Sequence, residues 1–528
     1  MFITPPVATV VVLLSALLWR ILQSGKRDPR MPPGPPTLPL IGNAHLIPNR
    51  GFHKKFPAWA KKYGKVFSLK IGSSNMIVLC DRKSVHKLLV ERGRIYSDRP
   101  PNWVMGFISR NHHLIIENLD SAGRLKRKII SQHFSPKEMD SRHYKTQSAE
   151  SAVLVRNFLH NPEGFMTEIR RYTVSSISAI TWGHRAPDVK SPWYYRTNDL
   201  LEKWFDAVAP GANPPVENFP FLEWIPASMA GWRRRAIAIR DQMDETYGDC
   251  RRQVNERRQL GDNRSSIADI LLDEYEVKGW PRELSQHAFN NLMGEIIEGG
   301  VDTTVAQLSS LVLALALHPD VQKRAWTEID AVCGTQRSPD WSDFNKLPYV
   351  NAVVKEAARW RPNAGTSLPR TNTQDDIYDG MLIPKGSTII QTISAIQEDP
   401  DFYDNAEKFD PDRYLNHPGL ANEYAASSDW DHRDHYIYGT GRRICPGIHS
   451  AERSMWRVTA KLLWAFEISE PVDPITQEVQ HLDPNAYTSG VVLCPLPFNI
   501  SLKARSQAHR ETIEREFLEA SEELKKFE

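Results

Sequence analysis

The sequence predicts a mainly α-helical protein with a smaller β-rich region, preceded by a single N-terminal transmembrane helix. Three observations predict this fold class: a long apolar periodicity in residues 284–317, two short strand-like segments in residues 65–81, and an apolar run near the N-terminus. The chain has 528 residues and 41% hydrophobic residues, which suffices for a large core and argues against general disorder. A net charge of +2 gives no support for nucleic-acid binding, and five scattered cysteines indicate a reducing compartment.

The N-terminal apolar run is VATVVVLLSALLWRIL, residues 7–22, which Phe2 and Ile3 extend. It approaches the about 20 residues that cross a bilayer as a helix. Basic residues follow it between positions 26 and 30, which places the rest of the chain on the cytoplasmic side. A cleaved secretory signal is the alternative, but the run has neither a basic segment before it nor a small-x-small cleavage site after it.

Composition divides the chain into three parts. Residues 1–30 form the predicted membrane anchor with its basic flank. Residues 31–505 form the main body, which begins with a proline-rich hinge, MPPGPPTLPLIG, over residues 31–42. Residues 506–528 form a charged C-terminal helical tail, for which a solvated helix is favoured over a partner-binding one.

Within the body, period and turn residues predict the main elements. Strands are expected at residues 65–72 and 76–81, a helix of about 50 Å at 284–317 that His318-Pro319 ends, a helix at 349–360, and strand-like pieces at 387–396 and 490–502.

The centre of the long helix carries unusual residues, EGGVDTT at 298–304. Gly299 and Gly300 each cost a helix about 1 kcal/mol relative to alanine, and Asp302 and Thr303 are polar in an apolar helix. One interpretation is a local opening that brings a ligand close to the helix. The other is a helix–helix crossing that needs small residues, with a capped acid beside it.

A second unusual segment is HYIYGTGRRICPGIHS, residues 435–450, in which Cys445 has no second metal ligand at zinc-like spacing. Gly439, Gly441 and Gly447 allow positive φ angles that turn amides inward, and the helix that follows favours an anion before it. One thiolate suits haem, whose porphyrin supplies four ligands, whereas zinc needs four protein ligands. A buried structural cysteine and a redox-active thiol are the alternatives.

The stretch YGTGRRICPG resembles the haem-binding loop of cytochrome P450 enzymes, F-x-x-G-x-R-x-C-x-G, with Tyr438 at the phenylalanine position. Upstream, GGVDTT resembles the family's oxygen-activation motif, EAAR its E-x-x-R motif and FDPDRYL its following arginine motif. The resemblance covers about residues 31–505, in the family's order. It implies the cytochrome P450 fold, with the long helix over the haem.

The resemblance also implies residue roles. Cys445 would be the axial ligand of the haem b iron, in a cofactor site built from Arg127, Arg370, Tyr438, Gly439, Gly441, Arg443 and Gly447. Asp302 and Thr303 would deliver protons during oxygen activation, and Glu356, Arg359 and Arg413 would form a buried charge network. One departure is Gly123, where many relatives have a tryptophan on a propionate; Arg124 is the candidate to replace that contact.

The function implied by the resemblance is a monooxygenase of the endoplasmic reticulum membrane, closest in pattern to fungal P450s of secondary metabolism. NADPH would supply electrons through NADPH-cytochrome P450 reductase, docking near Arg124, Lys126, Arg442 and Arg443, with cytochrome b5 as a second candidate partner. The substrate would be a lipophilic small molecule. Oxidative coupling, desaturation or isomerisation on the same haem is the alternative chemistry, and a non-catalytic haem sensor is a remote one.

The family's substrate-contacting segments map to residues 100–119, 292–299, 363–368 and 486–490, whose apolar and small polar side chains fit a mid-sized lipophilic molecule. Residues 214–235, PPVENFPFLEWIPASMAGWRRR, resemble the family's membrane-facing access region.

Overall fold

The computed structural model describes residues 5–48, 51–209, 211–473 and 475–528. Phe2 and Ile3, which were expected to extend the apolar run, lie outside these ranges. The described helices are α1 (Pro5–Ser24), α2 (Phe56–Tyr63), α3 (Arg82–Val85), α4 (Trp103–Ile108), α5 (Ser121–His133), α6 (Pro136–Ser141), α7 (Tyr144–His160), α8 (Phe165–Trp182), α9 (Pro192–Val208), α10 (Gly231–Gln259), α11 (Ile267–Lys278), α12 (Gln286–Leu317), α13 (Pro319–Cys333), α14 (Pro348–Trp360), α15 (Ile393–Gln397), α16 (Ala421–Ala426), α17 (Ile448–Ala465) and α18 (Gln507–Leu524).

The strands are few and short: β1 (Val66–Ile71), β2 (Ser74–Leu79), β3 (Arg370–Thr371), β4 (Asp376–Tyr378), β5 (Met381–Ile383), β6 (Thr388–Gln391), β7 (Phe466–Ser469) and β8 (Ser501–Ala504). The largest sheet has the order β1-β2-β6-β3, with β1 and β2 antiparallel and β2 and β6 parallel. Two hairpin-like pairs, β4-β5 and β7-β8, complete the described sheets. The predicted fold, mainly helical with a smaller β-rich region, is confirmed.

The core is built around α12, whose 32 residues correspond to about 50 Å. Ser285 caps its first turn by accepting a hydrogen bond from the Ala288 N–H at 3.1 Å, and the helix ends before His318. Its apolar side chains are buried against α8, α10, α14 and α17. The prediction of a helix at 284–317 is therefore confirmed, as are the helix at 349–360 and the strand pair at 65–81.

Two predicted strand regions are only partly correct. Residues 387–396 divide into β6 and the short helix α15, and in residues 490–502 regular strand begins only at Ser501. Most of that second segment is irregular, and it is attached by an isolated bridge between Tyr487 and Pro495 and by a few backbone hydrogen bonds, such as that from the Leu493 N–H to the Asn363 carbonyl at 2.8 Å. Alternating apolar residues there fill space beside the core without pairing to a neighbouring strand.

The C-terminal helix was predicted correctly as a helix, but the expectation of a solvated tail is wrong. Helix α18 packs against α7, with Ile513 and Leu524 buried. Glu516 accepts hydrogen bonds from the backbone and side chain of Ser338 and pairs with Lys461 at 3.3 Å. Its apolar residues are spaced too sparsely to reveal this buried face.

The N-terminal helix α1 exposes several large apolar side chains, including Val12, Leu13 and Trp19, each about two-thirds exposed. Among the described residues, the one helix that is both long and apolar enough to cross a membrane is α12, and most of it is buried in the core. A transmembrane role for α1 therefore stays a prediction.

Candidate active site

Cys445 lies at the end of a tight loop that runs into α17. Its backbone N–H donates to the Tyr438 carbonyl at 2.8 Å, which closes the loop. Gly439 and Gly441 have φ angles of 73° and 58°, as the glycine pattern predicts. A Cβ on Gly441 would lie 2.1 Å from the Leu89 carbonyl oxygen, so only glycine fits there.

Gly447 differs from the prediction, because its φ is −93° and any residue can adopt that conformation. It sits at the start of α17, and its amide donates to the Cys445 sulfur. A Cβ here would be 3.9 Å from the sulfur, an ordinary contact. This glycine therefore contributes its amide and its small size, and a positive φ is not required.

The Cys445 thiol is not activated by the loop alone. Burial raises the pKa of Cys445, and the Gly447 amide and the charge of Arg127 oppose this only in part. A bound metal ion would therefore add to the stabilisation of a thiolate at Cys445. No group of three or more His, Cys, Asp or Glu side chains that could hold a metal ion occurs among the described residues.

The centre of α12 has one open face. The Thr303 hydroxyl donates to the Gly299 carbonyl at 2.7 Å, and a Cβ on Gly299 would meet nothing within 4 Å. Gly300 instead faces α8, where its Cβ would lie 3.1 Å from Ile177. Both interpretations of the glycine pair therefore apply, one to each residue: open space beside Gly299 and a helix crossing at Gly300.

Asp302 is tied to a neighbouring helix. Its carboxylate pairs with Arg170 of α8 at 2.7 Å. Burial raises the pKa of Asp302, and Arg170 opposes that shift. Asp302 immediately precedes Thr303, and Arg170 fixes its carboxyl group. The pKa of this carboxyl lies above its ordinary value, which suits a group that gives up and regains a proton.

Glu356, Arg359 and Arg413 come together as predicted. Arg359 binds Glu356 through two hydrogen bonds of 2.7 Å, and both side chains are fully buried. Arg413 approaches Glu356 at 3.6 Å and donates to the Asp404 and Asn405 carbonyls. It is therefore the looser member of the network.

This network is connected to the cysteine loop through Gln397. Arg359 donates to the Gln397 carbonyl at 3.0 Å, and the Gln397 side chain accepts from the Tyr436 amide at 2.6 Å. Tyr436 stands two residues before Tyr438, which closes the loop on Cys445. The buried pair thereby fixes the chain that leads into the loop.

Four arginine side chains lie close together beside the Cys445 loop. Arg443 donates to the carbonyls of Ser97 and Glu117 at 2.7 Å each, and Arg370 donates to the Thr440 carbonyl at 2.6 Å. Arg127 donates to the Ile444 carbonyl, and Arg99 to the Pro369 carbonyl at 2.6 Å. Among the described residues, the side-chain hydrogen bonds of these four arginines all go to backbone carbonyls, and none of the four forms an ion pair.

The four guanidinium groups repel one another. Burial and the charges of Arg443, Arg127 and Arg433 lower the pKa of Arg370 to about 9. Burial and Arg127 lower the pKa of Arg443 to about 10, and the pKa of Arg99 also falls well below its ordinary value. Buried guanidinium nitrogens of Arg99, Arg370 and Arg443 have no hydrogen-bond partner among the residues that the structure describes. Such a cluster is complete only with an anionic ligand.

Comparison with known proteins decides the family. The Cytochrome P450 family profile matches residues 32–501. The chain belongs to the cytochrome P450 family. It is 40% identical to the cytochrome P450 monooxygenase patI of Aspergillus clavatus, over 99% of both chains, and 39% identical to the cytochrome P450 monooxygenase macC of Penicillium terrestre, over 97% of both chains. It is also 40% identical to the cytochrome P450 monooxygenase AOL_s00215g282 of Arthrobotrys oligospora, over 97% of this chain and 96% of that one. The protein is accordingly an oxidoreductase of the monooxygenase type.

The P450 family implies a haem cofactor, and the residues present fit it. Cys445 offers a single half-buried sulfur, and among the described residues it belongs to no group of three or more potential metal ligands. The arginine cluster offers unpartnered donors where two propionates need positive charge. The open face at Gly299 leaves space beside Thr303.

Two expectations about the P450 propionate contacts change. Gly123 is buried, and a Cβ there would lie 2.1 Å from the Asn118 carbonyl oxygen, so no tryptophan fits without moving the backbone. Arg124 does not replace it, because its side chain is exposed and donates to the Leu119 carbonyl. Arg99 joins the cluster in its place. It precedes two prolines in a loop, and no local pattern marks it in the sequence.

Sequence reasoning also missed two buried carboxylates on α12, Glu295 and Glu298. They lie within the segment 292–299 that was expected to be apolar and small polar. Glu298 binds His113 of the segment 100–119 at 2.8 Å. Acidic residues in a helix usually face solvent, so only the assembled fold shows that these two are buried.

Proposed function

We propose that this P450 inserts one oxygen atom from O2 into a lipophilic small molecule, as a step of fungal secondary-metabolite biosynthesis. The observation that carries the proposal is that the chain has both the Cys445 loop and, on α12, an open helix face at Gly299 and Thr303. The fungal origin of the relatives supports the biological setting. Haem b, when bound, would supply the oxygen-activating chemistry.

In this proposal each residue of the chain has a defined task. Cys445 would hold the iron through its sulfur, and the Gly447 amide would stabilise that sulfur as an anion. The four arginines would bind the propionates and so be relieved of their mutual repulsion. Thr303 would pass a proton from its hydroxyl, and Asp302, held by Arg170, would restore that proton.

Electrons would come from NADPH through NADPH-cytochrome P450 reductase, with cytochrome b5 as a second candidate. The docking surface must be revised from the expected set of basic residues. Arg124 and Arg442 are exposed, which suits docking. Lys126 is buried on Glu117, and Arg443 is buried in the arginine cluster, so neither can contact a partner protein.

For localisation we propose the endoplasmic reticulum membrane, with α1 as a single-pass anchor. The exposed apolar side chains of α1 support this, as does a second apolar surface before α10. There Phe221, Trp224 and Met229 are more than half exposed, next to the basic residues at 233–235. Apolar residues beside basic ones suit a membrane interface.

Flotation with liposomes tests this localisation. The full chain should float with vesicles of neutral and anionic lipid, and removal of residues 1–30 should weaken flotation strongly. The further change of Trp224 to Ser should weaken the residual flotation, whereas the change of the exposed Leu260 to Ser should not. Unchanged flotation of the truncated chain would contradict the anchor.

Isotope incorporation tests the chemistry. The holoprotein with reductase, NADPH and labelled O2 should transfer one labelled oxygen atom to a turned-over lipophilic substrate. Thr303→Ala should divert NADPH consumption to peroxide, and Thr303→Ser, which keeps the hydroxyl, should retain most of the coupling. Products without labelled oxygen would favour desaturation or isomerisation, and unchanged coupling in Thr303→Ala would contradict the role of the hydroxyl.

A further inference from the structure

The part of α12 before Gly299 carries, with its neighbours, a buried cluster of titratable side chains that the proposed oxygen activation does not use. It comprises Glu295 and Glu298 of α12, Tyr247 of α10, and His113 of the loop after α4. Lys126 of α5 adjoins it and is paired with Glu117. Burying such groups costs free energy that apolar side chains would avoid. A pocket for lipophilic molecules gains nothing from this cluster unless it recognises something polar.

The cluster lies next to the open face of α12. Glu295 is one helical turn before Gly299, and Glu298 is one turn before Asp302, since residues four apart share a helix face. Gly299 is exposed and faces open space, and Thr303 lies one turn further. A group bound beside Glu295 would therefore stand about two helical turns, or about 12 Å along α12, from Thr303.

The two carboxylates differ in how far they are satisfied. Glu298 binds the His113 ring nitrogen at 2.8 Å and accepts the Tyr247 hydroxyl, so both of its oxygens are used. Glu295 accepts the Leu114 N–H at 2.9 Å through one oxygen. Its other oxygen, Oε1, is buried and has no hydrogen-bond partner among the described residues, and the residue as a whole is only 8% exposed.

The charged groups around Glu295 are His113, Lys126 and Glu298. Burial lowers the pKa of His113, but Glu295 and Glu298 outweigh burial and the net pKa lies above its ordinary value. His113 thus lies near both carboxylates. Burial raises the pKa of Glu295 to about 7, against the opposing charges of His113 and Lys126.

The packing indicates that this arrangement is specifically accommodated. A Cβ on Gly294 would lie 2.1 Å from the Tyr247 ring, so only glycine lets Tyr247 cross α12 and reach Glu298. The His113 ring stacks on Trp204 with centroids 5.1 Å apart. With Glu298 fixed from both sides, the free oxygen of Glu295 is the unoccupied acceptor of the cluster.

We propose that Glu295 is a substrate-binding residue whose free carboxylate oxygen accepts a hydrogen bond from a hydroxyl group, so that this P450 selects lipophilic molecules bearing an alcohol or phenol. The inference rests on the proposed function, because it places the substrate on the open face of α12. The hydroxyl would fix which end of the molecule points away from Thr303. Specificity would come from the acceptor that a substrate without a hydroxyl leaves unpaired.

Binding of matched probe pairs to the oxidised holoprotein tests this proposal. The probes are para-propylphenol with its methyl ether, and a naphthol with its methyl ether, titrated by the Soret shift and, where the spectrum is silent, by calorimetry. The phenols should bind at least about tenfold more tightly than the ethers, the size expected for one hydrogen bond to a charged group. Glu295→Leu should abolish that preference, and Glu295→Gln, which keeps an acceptor oxygen, should retain part of it.

The exposed Glu283, just before α12, provides the matched control. Glu283→Leu and Glu283→Gln should leave the preference unchanged. Equal affinities for phenol and ether in the unaltered protein, no binding of either, or a preference that survives in Glu295→Leu would overturn the proposal. The spectrum of the reduced, CO-bound protein separates this failure from failure of the proposed function: a thiolate signature without hydroxyl preference rejects only the role of Glu295.

Discussion

At the scale of single residues, the site depends on charges whose burial is compensated by one specific partner. Glu356 and Arg359 are both fully buried and share two hydrogen bonds of 2.7 Å. The sequence spacing could indicate only that the two lie on one helix face. That the pair is buried follows from the chain segments around Gln397 and Asp410, which also bond to it.

Glu356→Gln should lower the free energy of unfolding by about 3–5 kcal/mol, because it leaves the Arg359 charge buried without its partner. Denaturant unfolding and haem content measure the effect, and we expect loss of haem because the pair fixes the chain leading to Cys445. Lys87→Gln is the control: its pair with Glu91 is nearly half exposed and contributes well under 1 kcal/mol. Equal effects of the two changes would contradict the account.

Glu452 on α17 gives a pH-dependent prediction. Burial raises the pKa of Glu452 to about 7, against the Ala421 amide and Lys355, and one of its oxygens lacks a hydrogen-bond partner in the described part of the chain. The folded state therefore binds a proton that the unfolded state releases near pH 4.5, so this residue's contribution to stability falls as pH rises from about 4.5 to 7.

Glu452→Gln, which stays neutral, should match the unaltered protein near pH 4.5 and exceed its free energy of unfolding by about 3 kcal/mol at pH 8. Denaturant titrations across this range measure the difference between the two proteins. Subtracting the two curves removes the contributions of other groups. A difference that does not change with pH would contradict burial of an ionising carboxyl here.

At the scale of elements, strongly periodic segments are predictable and buried faces of charged segments are not. Helix α12 and the pair β1-β2 show clear periods, so the sequence locates them. Helix α18 looks like a solvated helix because its few apolar residues are widely separated, yet α7 covers them. The positions of Arg99 and Glu295 also depend on distant elements that no local pattern reveals.

Two leucines of α18 provide a direct comparison. Leu524 is fully buried, and Leu524→Ala should lower the free energy of unfolding by about 2–5 kcal/mol because it leaves a cavity. Leu518, 66% exposed on the same helix, should change it by less than about 0.5 kcal/mol when replaced by alanine. Thermal or denaturant unfolding of both variants measures this, and similar values would show that α18 does not pack in solution.

At the scale of the whole molecule, the site that would hold the haem draws its residues from distant parts of the chain. The arginine cluster, unpaired among the described residues, gathers Arg99, Arg127, Arg370 and Arg443 from separate parts of the chain. Their repulsion opposes folding until an anionic ligand binds. The family motifs made Cys445 and three of these arginines predictable, while the fourth and the buried carboxylates required the complete fold.

The central claim is that Cys445 binds haem iron through a thiolate, and the absorption spectrum of the reduced, CO-bound protein tests it most directly. We predict the strong red shift of the Soret band that a thiolate ligand produces, and its loss in a folded Cys445→Ser variant. A Soret band typical of a histidine ligand in the unaltered, well-folded protein, or an unchanged spectrum in Cys445→Ser, would contradict the account.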